Sequence, residues 1–261
     1  MFNLLHHIEQ RILGKMRTVR LRRKLREYKR LMRSDHPMAN FPVACRADVS
    51  ADPKEFFSHY DAYAFWAAKK INGIGGGAKI LDVGNRKMAN AMNSVSNDVT
   101  AIVLADCEDS ISNVNYVIHD ISRPLPFGDH TFDIFTSLAS LNIAGLSRYG
   151  DKLDPYTLVN FIGELDRVMK KRSDILVSLC LGRNFLSFNN GWFFDFETLC
   201  GLFSKWRLLD FLIDNNSVPN PRPYQERFTR DIDLDSYPEG EYRVIFMHFG
   251  RDGTEGARDS M

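Results

Sequence analysis

"ILDVGNRKMAN", residues 80–90, decides the fold. Ile80-Leu81-Asp82-Val83-Gly84 reads as a buried parallel strand with an acid near its end and a glycine at its exit. In a turn that cradles a nucleotide, two more glycines would follow, so that the ligand lies against bare backbone. Asn85, Arg86, Lys87 and Met88 stand there instead. The stretch has the frame of a ligand-binding turn with a different lining.

Outward from this strand the chain alternates. Strand-like apolar runs fall at 79–84, 99–105, 115–120, 132–138, 174–181, 206–213 and 242–249. Helical patterns fall at 156–171 and 195–205, and at 52–71, where Asp52 would cap the first turn and Pro53 would open it. Continuous apolar strands separated by helices predict an α/β fold: a doubly wound, mostly parallel seven-stranded sheet covered on both faces. Ligands of such sheets bind at the carboxyl ends of the strands near the topological switch point. The loops after 84, 105, 120, 138 and 181 therefore carry the candidate site. "GIGGGA" (73–78) precedes a strand rather than following one, so it reads as a joint and not as a phosphate turn. The segment 214–241 is polar, with four prolines, and joins the last two strands.

The chain has 261 residues, 44% of them hydrophobic, enough for one sizeable core. Its net charge is +1, but residues 1–34 hold eleven Lys/Arg against two Glu, so the remainder is mildly acidic. Within 4–33, Leu5, Ile8, Ile12, Met16 and Val19 form one helical stripe; Leu21, Leu25, Tyr28 and Met32 form a second. Such a basic amphipathic helix can lie on an anionic membrane surface, grip a partner, or pack on its own domain. It lacks the aromatic–basic interleaving that stacks bases, so nucleic acid is not an expected partner. The expected organisation is a basic arm (1–35), a linker (36–51), an α/β domain (52–250) and a disordered tail (251–261). Four widely spaced cysteines without a C-x-x-C pair fit a reducing cytosol, with Cys180 and Cys200 as buried thiols. No apolar run approaches the ~18 residues of a membrane span. The expected location is cytoplasmic, peripheral at the inner face of a membrane.

Asp82–Gly84 followed by "HDISRPLPFGDHTFDIFTSL" (119–138) resembles the core of a class I S-adenosylmethionine-dependent methyltransferase. "LNIAGLSRYGDKLDP" (141–155), "GRNFLSFNNGWFFDFETLCGLF" (182–203) and the terminal "YRVIFMHF" resemble a narrower, uncharacterised subfamily found among bacterial surface-polysaccharide genes. The resemblance spans about residues 50–250. It implies S-adenosylmethionine as cofactor, held by Asp82, Gly84, Asn85, Asp106, Asp120, Ile121 and Ser137. It further implies methyl transfer to a sugar hydroxyl or similar oxygen. Arg148 would bind an anionic acceptor and Asp151 would take its proton. Tyr149, Arg183, Asn189 and Trp192 would hold a sugar, whose C–H face stacks on aromatic rings while its hydroxyls meet amides. The implied partners are a glycan or lipid-linked sugar, a glycosyltransferase, and an anionic membrane reached through 4–33. No metal is implied.

Three positions depart from the pattern. The loop after Gly84 lacks its further glycines. Val103 stands where the ribose-binding acid belongs, with Asp106 three residues on. Leu141-Asn142 replaces a Glu-His pair, leaving Asn142 in the place of the base. Two alternatives follow: a non-catalytic scaffold of the same fold, or an enzyme that grips another nucleotide or phosphorylated ligand through Arg86 and Lys87.

Overall fold

The computed structural model of the chain describes residues 19, 21–45, 59–106, 110–214, 228–233 and 240–252. Helix α1 covers 21–31. Strand β1 (Val43–Cys45) and helix α2 (His59–Ile74) follow, then β2 (Lys79–Val83), α3 (Lys87–Asn93), β3 (Asp98–Val103), β4 (Val114–Ile118) and β5 (Phe132–Leu138). A 3-10 turn, Leu141–Ile143, leads to α4 (Thr157–Val168) and the long β6 (Met169–Gly182). The chain continues through β7 (Phe185–Phe188), β8 (Gly191–Phe193), α5 (Phe196–Leu202), β9 (Arg207–Asp214), β10 (Phe228–Thr229) and β11 (Tyr242–Asp252).

The main sheet runs β10-β9-β11-β6-β5-β2-β3-β4. From β6 through β4 every pairing is parallel; β11 is antiparallel to both neighbours. All seven expected strands are present, and β10 adds a two-residue strip at the β9 edge. Both flanks of β2 are built outward in opposite chain directions, so the switch point falls between β2 and β5. Adjacent strand residues point to opposite faces, and the core divides accordingly. Ile80, Ile134, Leu176 and Phe246 pack under α2, while Leu81, Phe135, Ile175, Val177 and Ile245 pack under α4 and α5.

Several boundaries differ from the sequence reading. The helical pattern expected to 171 ends at Val168, because Met169 turns extended and pairs with Phe132. The Arg251 guanidinium then donates to the carbonyls of Met169 and Lys170 at 3.1 and 2.8 Å, fixing the new strand. The joint at 73–78 is two parts: α2 runs through Gly73, and Gly75 and Gly77 turn with φ +113° and +83°. Asp52 and Pro53, the expected helix start, lie outside the described residues, as do the first stripe up to Met16 and most of the tail.

Of the three fates open to the basic helix, its described part takes the last and packs on its own domain. Tyr28 is fully buried, and Leu25 and Met32 pack beside it on the main core. The second apolar stripe is thus spent on the chain's own domain. Lys24 Nζ donates to the Ser147 carbonyl at 2.9 Å, and His36 meets the Pro155 carbonyl at 2.7 Å. β1, within the expected linker, pairs in parallel with β7, which pairs antiparallel with β8. Together α1, β1 and the β7–β8 hairpin form a cap. Its interior is aromatic: Tyr28 against Phe188 and Trp192, and Phe41 against Trp192 and Phe194.

Candidate functional site

The turn after β2 is organised by one buried carboxylate. Asp82 accepts hydrogen bonds from the Asn85 amide (3.0 Å), Asn90 Nδ2 (3.1 Å) and Thr136 Oγ1 (2.7 Å). Burial raises its pKa, against the pull of these donors and of Arg86. Gly84 (φ +115°) and Asn85 (φ +47°) both take the left-handed region; asparagine is among the few side chains that enter it readily. A Cβ on Gly84 would stand 1.9 Å from Ser140 Oγ, so the β2 and β5 exits touch at the switch point. Ser137 Oγ adds a bond across the same seam, to the Val83 carbonyl at 2.9 Å. Arg86 leaves this turn: its guanidinium lies 3.7 Å over the Tyr60 ring on α2.

At the β3 exit Val103 is buried, whereas Asp106 is exposed. The strand's last residue therefore offers no carboxylate. At the β4 exit Asp120 uses one oxygen for the Ser122 amide (2.9 Å) and the other for the Lys152 amide (3.0 Å). Burial alone would raise its pKa, but these amides and Arg123 outweigh it and hold the group low. Asp120 thereby ties the β4 exit to the loop after β5. Ile121 packs on the main core beside it. His119, one residue earlier, keeps its Nε2 buried without a hydrogen-bond partner.

The loop carrying Arg148 and Tyr149 is held from within. Asp151 accepts from the amides of Ser147 (3.0 Å) and Tyr149 (3.2 Å). Its carboxylate shapes the loop through backbone groups, with Ser147 at φ +56° and Gly150 at +91°. The Arg148 guanidinium sits 5.3 Å from the ring centre of Tyr149, which is 64% exposed. Asn142 is buried; its Nδ2 faces Cys180 Sγ at 3.4 Å, and its Oδ1 has no hydrogen-bond partner. Gly191 lies directly over it: a Cβ there would meet Asn142 Nδ2 at 2.5 Å.

The expected site residues thus divide into groups. Asp82, Gly84, Asn85 and Ser137 meet at one seam. Asp120, Ile121, Arg148, Tyr149 and Asp151 meet through the Asp120–Lys152 link. Arg183 is exposed after β6, and Asn189 (φ +73°) forms the hairpin turn. Trp192 is a correction: it is 1% exposed and walled in by Tyr28, Phe41 and Phe194, so no sugar reaches it. Cys200 is another, being only half-buried. Asn90, Thr136, Ser140 and Tyr60 were not foreseen. Asn90 ends the quoted stretch itself, and a polar residue one helical turn past Lys87 was the available signal.

Residues at the turn and the β4 exit fit a nucleoside. Gly84 and Asn85 supply a left-handed cradle beside a buried acid. Asn90 Oδ1 and His119 Nε2 are buried polar atoms without a protein partner at the edge where such folds take their ligands. The ribose end departs, through Val103.

An eight-stranded sheet of this order, with its antiparallel β11 and its acid-anchored turn, is a Rossmann-like methyltransferase fold. The chain belongs to the family described as "Caenorhabditis protein of unknown function, DUF268", which matches residues 76–219. No curated protein matches it in sequence. Among solved structures it is similar to the [4+2]-cyclase SpnF, at 15% identity and TM-score 0.52, covering 83% of this chain and 91% of that one. It is also similar to the N-methyltransferase NodS from Bradyrhizobium japonicum WM9, solved with S-adenosyl-L-homocysteine. There the identity is 9% and the TM-score 0.50, covering 87% and 98%. A cyclase and a methyltransferase on one fold show that the sheet does not choose the chemistry.

Proposed function

We propose that this chain binds S-adenosylmethionine across the exits of β2, β4 and β5 and transfers its methyl group to an oxygen acceptor. The observation that carries the reading is the left-handed Gly84–Asn85 turn, held at the switch point by Asp82. Gly84, Asn85 and Asn90 would hold the methionine and ribose side; His119, Asp120 and Ile121 would border the base. When bound, the cofactor supplies an electrophilic methyl group, so placing the acceptor in line is much of the catalysis. Arg148, Tyr149, Arg183 and Asn189 are the proposed acceptor residues, with a sugar hydroxyl, free or lipid-linked, as acceptor. The exposed Tyr149 ring and the tether of its loop to Asp120 support that assignment. Asp151 accepts one amide on each oxygen and so shapes the acceptor loop; in this proposal a remaining lone pair takes the hydroxyl proton as the methyl passes from sulfur to oxygen.

Thermal unfolding with S-adenosylhomocysteine tests the reading. A ligand at a hundredfold excess over its Kd stabilises the native state by about 2.7 kcal/mol, so the midpoint must rise. No rise at millimolar ligand, with the far-ultraviolet spectrum intact, overturns it.

A second reading is a non-catalytic scaffold for a glycosyltransferase, favoured by the missing carboxylate at Val103 and by Ser140 lying against Gly84. A phosphorylated ligand gripped by Arg86 is less favoured, because the Tyr60 ring already holds that guanidinium.

A further inference from the structure

We propose that the outer face of α1 is a docking surface for anionic lipid headgroups, working by charge and not by insertion. The argument begins with what the fold consumes. A basic amphipathic helix ordinarily enters a bilayer interface through its apolar stripe. In α1 that stripe is occupied: Tyr28 is fully buried, and Leu25 and Met32 pack on the main core. What remains outward on α1 is cationic apart from Leu31. Arg22, Arg23, Arg26, Lys29 and Arg30 are all exposed, against the single exposed acid Glu27.

Their spacing concentrates the charge. Arg23, Arg26 and Arg30 follow at three and four residues, which places them in one row along the helix. With Glu27 they border a surface hollow of about 590 Å³. Glu27, four residues after Arg23 and three before Arg30, offsets part of the repulsion among the three guanidinium groups, and the row keeps a net positive charge. A sheet of phosphates relieves that repulsion. Single-stranded nucleic acid would also carry phosphates, but it is held by aromatic rings interleaved with the cations, and this face presents none.

The placement of α1 gives the surface an orientation. Lys24, on the inner flank, donates to Ser147 O (2.9 Å) and Oγ (3.3 Å). The 147–152 loop is in turn bonded to Asp120 through the Lys152 amide. Docking through α1 would therefore bring the loop that carries Tyr149 (64% exposed) within one helix diameter, ~10 Å, of the bilayer. No helix among the described residues is long and apolar enough to cross a membrane, so contact from one side is the geometry left to them. This surface does not depend on the proposed methyl transfer.

The test is co-sedimentation of the full chain with phosphatidylcholine vesicles, with and without phosphatidylglycerol. Binding is expected only with the anionic lipid, and it weakens as salt rises. The variant Arg22→Ser/Arg23→Ser/Arg26→Ser/Arg30→Ser, with an unchanged unfolding midpoint, is expected to bind on the order of several hundredfold more weakly, from about fivefold per cation. Unchanged binding by that variant overturns the proposal, as does equal binding to neutral vesicles. Displacement from anionic vesicles by single-stranded RNA at equal phosphate would reassign the face to nucleic acid.

Discussion

Asn90 Nδ2 stands 3.1 Å from Asp82 Oδ2, and the same amide reaches Asn85 Oδ1 at 3.3 Å, so one α3 side chain clasps both ends of the β2 turn. The clasp is buried, with Asp82 at 3% exposure and Asn90 at 0%. Replacing it with a second acid, Asn90→Asp, would set two carboxylates against each other out of water. The expected loss is about 3–5 kcal/mol at neutral pH. It should shrink as the pH falls, because the pair can then share a proton. Urea midpoints at pH 7 and pH 5 check both statements; Asn90→Ala, which removes a donor that lowers the Asp82 pKa, should show a smaller loss and a weaker pH dependence of the same sign.

Gly84 and Ser140 form a steric pair. Gly84→Ala places a methyl 1.9 Å from Ser140 Oγ and 2.8 Å from its Cβ, at φ +115°. A loss of about 2–4 kcal/mol is expected, part steric and part backbone strain. Adding Ser140→Gly should return the steric part and leave roughly 1 kcal/mol of strain. A double-mutant cycle in urea separates the two.

Tyr28 anchors α1 by its ring and by a buried hydroxyl that meets the Trp192 side chain. Tyr28→Phe leaves the buried Trp192 N–H without that oxygen, so a loss of about 1 kcal/mol is expected. Tyr28→Ala should cost about 3–5 kcal/mol and expose α1 to protease while the sheet stays folded. Limited proteolysis followed by mass measurement distinguishes a detached cap from global unfolding.

His36 predicts a pH dependence with a definite sign. Its Nδ1 accepts the Met38 amide at 3.1 Å, which leaves Nε2 as the N–H that meets the Pro155 carbonyl at 2.7 Å. Burial lowers its pKa, against the pull of that carbonyl and of Asp35 and Asp154. The unfolded chain therefore takes up a proton, near pH 6.5, that the folded chain resists. Stability from this site is whole above that pH and declines as the pH falls through the lower folded value. The melting midpoint should drop more between pH 7 and pH 5 in the native chain than in His36→Asn.

The sheet was legible because its strands are buried on both faces and read as unbroken apolar runs between helices. Val99–Val103 and Ile175–Leu181 leave little choice. The cap was not legible. β1, β7 and β8 are three or four residues long, too short for periodicity, and β1 finds its partner far along the chain. Trp192 looked like a ligand platform because an aromatic beside asparagines has the same composition in a core as in a sugar site. Tyr28 and Phe41, from the other end of the chain, decide between them. At the β2 turn the missing glycines read as erosion. Asn85 shows instead that a left-handed turn can be kept when an acid holds the amide. Asp151 reads as a base in the sequence, and only the positions of the Ser147 and Tyr149 amides show that it shapes its loop as well.

The pairing of Val43 with Leu186 has a consequence for biogenesis. At about 5–20 residues per second, the amino-terminal strand leaves the ribosome roughly 7–30 seconds before its neighbour exists. Through that interval the Tyr28 stripe has no home, while β2 to β5 can already assemble. The lid must close late, and a nascent chain stalled before Phe188 would present that stripe to chaperones.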